Sequence, residues 1–462
     1  MQMGHGMTDE MIAGINRQKL GAFFTDETRR YTKANPVSAA ALDKQAGAFL
    51  DRVPMHWMKD WPMPFPLVVE KAGGAVLTTV DGQELDDFCL GDTGSMFGHS
   101  PAPVAKAIRR QARRGLTYML PSEDALRAGA LLTETFGDFR WQIATTATDA
   151  NRYVIRIARA ITGRPRILVF NGCYHGTVDD AFVTLKDGKT AHRPGLVGQL
   201  HDLRKGAVVV EFNDLAAVEK ALAKGDVAAI LTEPVMTNSC MVLPEDGFLA
   251  GLGALSRQYG SLLIIDETHT QSTGFGGYTR VHGLDPDIFV VGKCVAGGIP
   301  TAAWGLREAL ARRYHTYNAT REPGFSGMGT TLSGNPMQFA CLVATLSEVA
   351  TPANFARMNR GAARLAQGLA RVIERHQLPW HVVRVGARVE FICAPGPLRN
   401  GAEAAAAHQP EVEAAMNLAL VNRGCLIAPF HNMMLISPVT RKRQIDRLIA
   451  AFDQVLTELL TK

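Results

Sequence analysis

The chain has 462 residues, 47% hydrophobic and 20% charged, with 49 lysines and arginines against 44 aspartates and glutamates for a net charge of +5. That balance is ordinary for a globular enzyme and too evenly spread to mark a nucleic-acid partner, since basic residues gather only in pairs such as Arg109-Arg110 and Arg113-Arg114. No run reaches about eighteen uninterrupted apolar residues and the polar start MQMGHGMTDEM lacks a secretory apolar stretch, which speaks against membrane and export and leaves a cytoplasmic location as the default.

Residues 1–66 read as an irregular, partly helical arm, with a helix near Ala39 to Leu50 and then a segment, Met55 to Pro64, dense in aromatic residues, methionine and proline. Trp57 and Trp61 in that segment would anchor the arm or line a pocket. Residues 67–138 form the next part: strand-like runs around Gly73-Gly74 and Asp81-Gly82, a hairpin signal, then the motif GDTGSMFGHS and helices at 103–115 and 124–136.

A large domain, 139–350, follows, in which short aliphatic strands alternate with helices: helix 149–161, strands 167–170 and 207–210, helix 215–223, strand 227–231, helix 247–259 and strand 262–265. Alternation of this kind predicts an α/β domain with a mainly parallel sheet. The stretch 172–206 reads as a long non-periodic insert. The remainder, 351–462, alternates helix and strand again and predicts a smaller α/β domain. Seven cysteines without a CxxC spacing read as reduced thiols, neither a disulfide framework nor a metal site.

The most informative stretch is Ser261 to Trp304. The run Leu262 to Ile265 ends in Asp266 and Glu267, and a second run, Ile288 to Val291, ends in Gly292 and Lys293, so two neighbouring buried strands would bring Asp266 and Lys293 to one sheet edge. A lysine there can form a Schiff base with an aldehyde, and a buried aspartate can keep a ring nitrogen protonated. Pyridoxal 5'-phosphate (PLP) offers both complements; a plain buried ion pair is the alternative. Thr146, Ala147 and Thr148 precede a helical run and could hold a phosphate, or simply cap the helix. Tyr174 and His175, after the strand ending at Phe170, could cover a flat heteroaromatic ring. No GxGxxG follows a strand, and neither GxxxxGK[ST] nor HExxH occurs.

Taken together these segments resemble the fold-type I, class III (subgroup II) PLP-dependent aminotransferases, in the branch of glutamate-1-semialdehyde aminomutase and β-amino acid aminotransferases. The family's N-S-G-T-E-A is similar to Thr145-Thr146-Ala147-Thr148-Asp149-Ala150, and its F-x-G-x-Y-H-G to Phe170-Asn171-Gly172-Cys173-Tyr174-His175-Gly176. Its E-P-V is matched by Glu233-Pro234-Val235 with Asn238 after it, and its D-E-V by Asp266-Glu267-Thr268. Its G-K-x-x-G-G-G-x-P is matched by Gly292 to Pro300, and its G-T-L-S-G-N-P by Thr330 to Pro336. The likeness runs from about Phe65 to the carboxyl terminus.

This resemblance implies that Lys293 carries PLP and shuttles a proton, while Asp266 holds the pyridine nitrogen. It implies Tyr174, beside His175, on one ring face and Thr268 on the other, with Thr146, Ala147 and Thr148 on the phosphate. Thr331 would join from a second subunit, making a homodimer the working unit, and Glu233 or Asn238 would lie near the cofactor's 3'-hydroxyl and the substrate. The chain departs from the pattern at Ala147, Asp149 and Thr268, where the family writes glycine, glutamate and valine. Related β-phenylalanine aminotransferases place a carboxylate-binding arginine where this chain has Trp57, so His56 and Trp57 become candidates for an apolar pocket wall. Arg388 and Arg441 are the arginines that could serve a carboxylate, each otherwise a surface residue. The expected activity is a ping-pong aminotransferase acting on an amine or amino acid and an oxo acid or aldehyde. A full-length glutamate-1-semialdehyde aminomutase is disfavoured by the altered arm and phosphate loop; racemase chemistry and a non-enzymatic PLP-fold binding module are the remaining alternatives.

Overall fold

The computed structural model describes residues 11–461, without the side chains of residues 45 and 46; the polar start read above lies almost wholly outside the described residues. The chain divides into two compact units, Pro101–Phe355 with Leu398–Ala406, and Met1–Ser100 with Ala356–Pro397 and Ala407–Lys462.

The first unit is built on a seven-stranded sheet whose order, by first residue, is 207, 166, 227, 262, 288, 302, 140. Strands Ala207–Val210, Arg166–Phe170, Val227–Thr232, Leu262–Asp266 and Ile288–Val291 pair in parallel, while Ala302–Leu306 runs antiparallel to both of its neighbours. Strands covered on both faces need apolar side chains at every position, which is why Leu262–Asp266 and Ile288–Val291 read as uninterrupted aliphatic runs. Val169, Ala229, Ile264 and Val290 pack in one core with Val154, Ile157 and Ala158 of the helix Ala147–Thr162. The fold is the α/β arrangement with a mainly parallel sheet that the alternation predicts.

Two strands of this sheet escaped the sequence reading. Arg140–Ala144 and Ala302–Leu306 are five residues each, and the latter follows a glycine-rich turn without an intervening helix, so the βα rhythm offers no cue. Within the supposed non-periodic insert, Val183–Lys186 pairs antiparallel with Lys189–His192 around Asp187 and Gly188, both at positive φ. Aspartate-glycine turns the chain here as at Asp81-Gly82, although there only the glycine takes a positive φ.

In the second unit, Val76–Thr79 and Glu84–Asp87 form the expected hairpin, in a four-stranded sheet completed by Val69–Gly73 and Cys425–Leu426. A three-stranded sheet places Arg388–Ile392 between His381–Val385 and Met433–Leu435. Helices Pro352–Arg375, Pro410–Asn422 and Lys442–Thr461 line its main core through Leu365, Leu420 and Phe452. The arm is more helical than expected. Helix Arg17–Ala34 buries Leu20, Phe23, Glu27 and Tyr31 along one stripe, a pattern hidden by the charged residues between them. The helix placed near Ala39 to Leu50 instead spans Pro36–Gln45, and the chain then passes through short turns in which Asp51 and Arg52 take positive φ.

Candidate active site

Asp266 closes the strand Leu262–Asp266, aligned with Val290 on the adjacent parallel strand, and Lys293 follows three residues beyond Val290. Both therefore emerge at the carboxyl edge of neighbouring strands, where the register of an open α/β sheet gathers functional groups. Lys293 has φ of +52°, a left-handed backbone that a residue with a Cβ adopts at a cost of roughly 1–3 kcal/mol and keeps only where its surroundings impose it.

The Asp266 carboxylate is 3% exposed and fully engaged. Its Oδ2 accepts from Asn151 Nδ2 at 2.8 Å and meets His175 Nδ1 at 3.0 Å. Its Oδ1 accepts from the Thr268 backbone N–H at 3.1 Å and the Thr268 hydroxyl at 2.6 Å. Burial alone would push this carboxyl up, but donation from His175, Thr268 and Asn151 outweighs it and holds the group below the usual aspartate range. His175 is displaced in the complementary sense: burial disfavours its charged ring, yet Asp266, with Cys173 beside it, raises the imidazole to about 10. The two displacements are complementary, each group favouring the charged form of the other across the 3.0 Å contact. Adjacent Glu267 goes the other way, since its burial outweighs the donors at Thr270, Tyr278 and Thr279 and raises its carboxyl.

At the start of helix Ala147–Thr162, Thr146 is the capping residue: its hydroxyl oxygen accepts from Asp149 N at 3.1 Å, and the same hydroxyl donates to Asp149 Oδ2 at 2.9 Å. Thr148 Oγ1 accepts from Thr177 N at 3.1 Å, which ties this helix start to the loop carrying Tyr174 and His175. The close fit fixes two glycines. A Cβ on Gly176, whose φ is +78°, would stand 2.1 Å from Thr148 Oγ1, and one on Gly292 would stand 3.0 Å from Ala147 Cβ.

Of the other candidates in this unit, Tyr174 is half-buried and Thr268 buried. Glu233 is buried and accepts a short hydrogen bond from Thr237, to whose hydroxyl Asn238 Nδ2 donates at 3.3 Å. Thr331 is exposed; its neighbours Thr330 and Ser333 reach Thr145 Oγ1 of the same chain at 3.4 and 3.2 Å. Two residues of this cluster had not been singled out. Asn151 is a polar residue on the apolar face shared with Val154, Ile155 and Ala158, and that misplacement was its legible signal. Gln271 is 4% exposed, and its side-chain amide donates to Thr268 O at 2.8 Å and Gly292 O at 2.9 Å; no motif marks it.

The remaining candidates belong to the second unit. His56 is exposed, and Trp57 stands edge-on to Phe430 with ring centres 6.1 Å apart. Arg441 is exposed. Arg388 departs from its expected surface position: its strand is central in its sheet, so the side chain is buried and pairs with Glu390 at 3.1 Å. All seven cysteines are buried and unbridged. Among the described residues no single helix is long and apolar enough to cross a membrane.

The donor set suits a cofactor with a basic ring nitrogen, an aldehyde and a phosphate, because an ionised buried carboxylate, a lysine and a threonine-capped helix start converge on one sheet edge. Residues 57–456 match the family Aminotransferase class-III. Over 398 residues the chain is 33% identical to a glutamate-1-semialdehyde 2,1-aminomutase of Sorangium cellulosum (strain So ce56), covering 85% of this chain and 89% of that one. It is 46% identical to a crystal structure of a glutamate-1-semialdehyde-aminomutase from Pseudomonas aeruginosa PAO1, with a TM-score of 0.94 over 97% of this chain and 100% of that one. An omega-transaminase from Sphaerobacter thermophilus is similar at 27% identity and TM-score 0.83, covering 91% and 98%.

Proposed function

We propose, from the premise that this chain belongs to the class-III aminotransferase family and is a PLP-dependent enzyme, that it moves an amino group from an amino acid or amine to an oxo acid or aldehyde by a ping-pong route. The observation that carries this reading is the ionised Asp266 at the end of the strand beside the one that leads to Lys293. Bound PLP supplies an aldehyde for an amine and a ring that accepts electrons.

In this reading the Lys293 amine holds the cofactor and, once released by the incoming amine, carries the proton at the substrate carbon. Asp266 keeps the ring nitrogen protonated; His175 and Asn151 fix the orientation and charge of that carboxylate. Tyr174 and Thr268 flank the ring, with Glu233 and Asn238 near its hydroxyl. Thr146, Ala147 and Thr148 take the phosphate, together with Thr331 of a second copy. A homodimer is supported by the apolar surface this unit leaves open, with Phe325 87% and Met119 77% exposed. Trp57 and His56 are proposed for the wall against the substrate and Arg441 as the carboxylate partner, Arg388 being committed to Glu390 in the core, and a cytoplasmic site of action is part of the same reading.

The likeness to two aminomutases favours a second reading to the same degree, an intramolecular amino shift that retains its intermediate. The test is a half-reaction screen in which PLP-loaded protein is mixed with α-amino acids, β-amino acids and simple amines while conversion to the pyridoxamine form is followed by absorbance. Conversion that needs an added oxo acid for turnover supports the transaminase. Turnover of glutamate 1-semialdehyde without any co-substrate supports the mutase, and racemisation without conversion removes both.

A further inference from the structure

Asp266 and Lys293 are joined by a hydrogen-bonded chain made wholly of protein groups. Asp266 Oδ1 accepts from Thr268 N and Oγ1; the Thr268 carbonyl accepts from Gln271 Nε2; and the same nitrogen donates to the carbonyl of Gly292, the residue before Lys293. With both of its protons committed to main-chain carbonyls on two different loops, Gln271 acts as a clamp rather than as a packing residue. One of those carbonyls belongs to the peptide unit that leads into Lys293, whose left-handed backbone needs outside support.

We propose that Gln271 is a positioning residue that sets where the Lys293 amine stands relative to Asp266. This rests on the reading that Lys293 carries the cofactor. Releasing the Gly292 carbonyl would let the lysine backbone relax while Asp266, His175 and Asn151 keep their own contacts. The pocket would then still receive PLP, but its lysine would compete less well for the aldehyde. The covalent link forms when an amine adds to the aldehyde carbon and one water leaves, so any small amine can take the lysine's place without a further reagent.

The experiment is a competition on full-length protein. Apoprotein is mixed with PLP and graded methylamine, reduced with borohydride, and the fraction of label on Lys293 is read by peptide mass. Gln271→Met, close in shape but unable to donate, and Gln271→Asn, one methylene shorter, are compared with the parent. Ser272→Ala serves as control, because it removes a buried hydroxyl of the same turn that has no hydrogen-bond partner. The expected result is that about tenfold less methylamine displaces Lys293 in both Gln271 variants, with the control at the parental value. A partition within twofold of the parent overturns the proposal. So does failure of both variants to fold, which would assign Gln271 to stability instead. Absence of label on Lys293 in the parent removes the functional reading itself, a different outcome from either.

Discussion

Asn151 reaches 115 positions along the chain to donate to Asp266 Oδ2 at 2.8 Å, and the same amide nitrogen also caps the carbonyl of His175 at 3.2 Å. One buried side chain thereby fixes a strand end and the loop opposite it. Removing it leaves two buried acceptors short of a donor, which costs about 1–3 kcal/mol each. Asn151→Leu is expected to lower stability by a few kcal/mol at neutral pH. Asp266 is held below its unfolded value, so its stabilisation is present above that value and fades as pH falls through the folded one. The gap between parent and variant in denaturant melts should therefore be widest near neutrality and narrow in acid.

Lys293→Ala should replace the imine band of PLP-loaded protein by that of the free aldehyde and abolish any borohydride-stable adduct, with turnover reduced to background. Alanine inherits the same positive φ, so the melting temperature of the apoprotein should move little. A borohydride-stable adduct in the Lys293→Ala protein would place the covalent link elsewhere.

Gly176→Ala puts a methyl group where the Thr148 hydroxyl already lies, at a φ that disfavours any Cβ. Thr148 or the Tyr174–His175 loop must yield. PLP affinity measured by equilibrium dialysis is expected to fall at least about tenfold, since 1.4 kcal/mol is a factor of ten and strain of this kind costs roughly 1–3 kcal/mol.

Glu390 offers a pH test in the other unit. It is buried beside Arg388, and burial raises its carboxyl to about 7 even though Arg388 works to lower it; Asp92 adds to the rise. A carboxyl raised by folding binds its proton more tightly in the native state, so its contribution is full below the unfolded value and is lost as pH climbs to about 7. Glu390→Gln should therefore gain stability relative to the parent between about pH 4.5 and 7, on the order of 3 kcal/mol across the window, and stay parallel above it. Equal slopes throughout would show that Glu390 is not perturbed by its burial.

Much of the site was legible because its chemistry coincides with changes of pattern. The aliphatic runs before Asp266 and Lys293 stop abruptly at charged residues, and a doubly covered strand has no other reason to do so. The class of fold followed from the same runs. Strands Arg140–Ala144 and Ala302–Leu306 were not legible, as the first mixes arginine and glutamine into its five residues and the second is mostly alanine and glycine, neither being a β-branched run. Gln271 was invisible for a deeper reason: its role depends on two backbone carbonyls, and backbone groups leave no trace in residue identity. Arg388 was misplaced because charge argues for the surface unless its partner is known, and Glu390 lies two positions on, where a strand brings both to the same face.

The narrow gap between Gly292 and Ala147 implies that these positions share one allotment of volume. An extra methyl at 147 is accommodated because 292 carries none, so the helix cap and the lysine turn can vary only as a matched set. Adding a methyl at 292 would force the helix start and the lysine turn apart, and Ala147→Gly, the one reduction this pair allows, should restore the spacing.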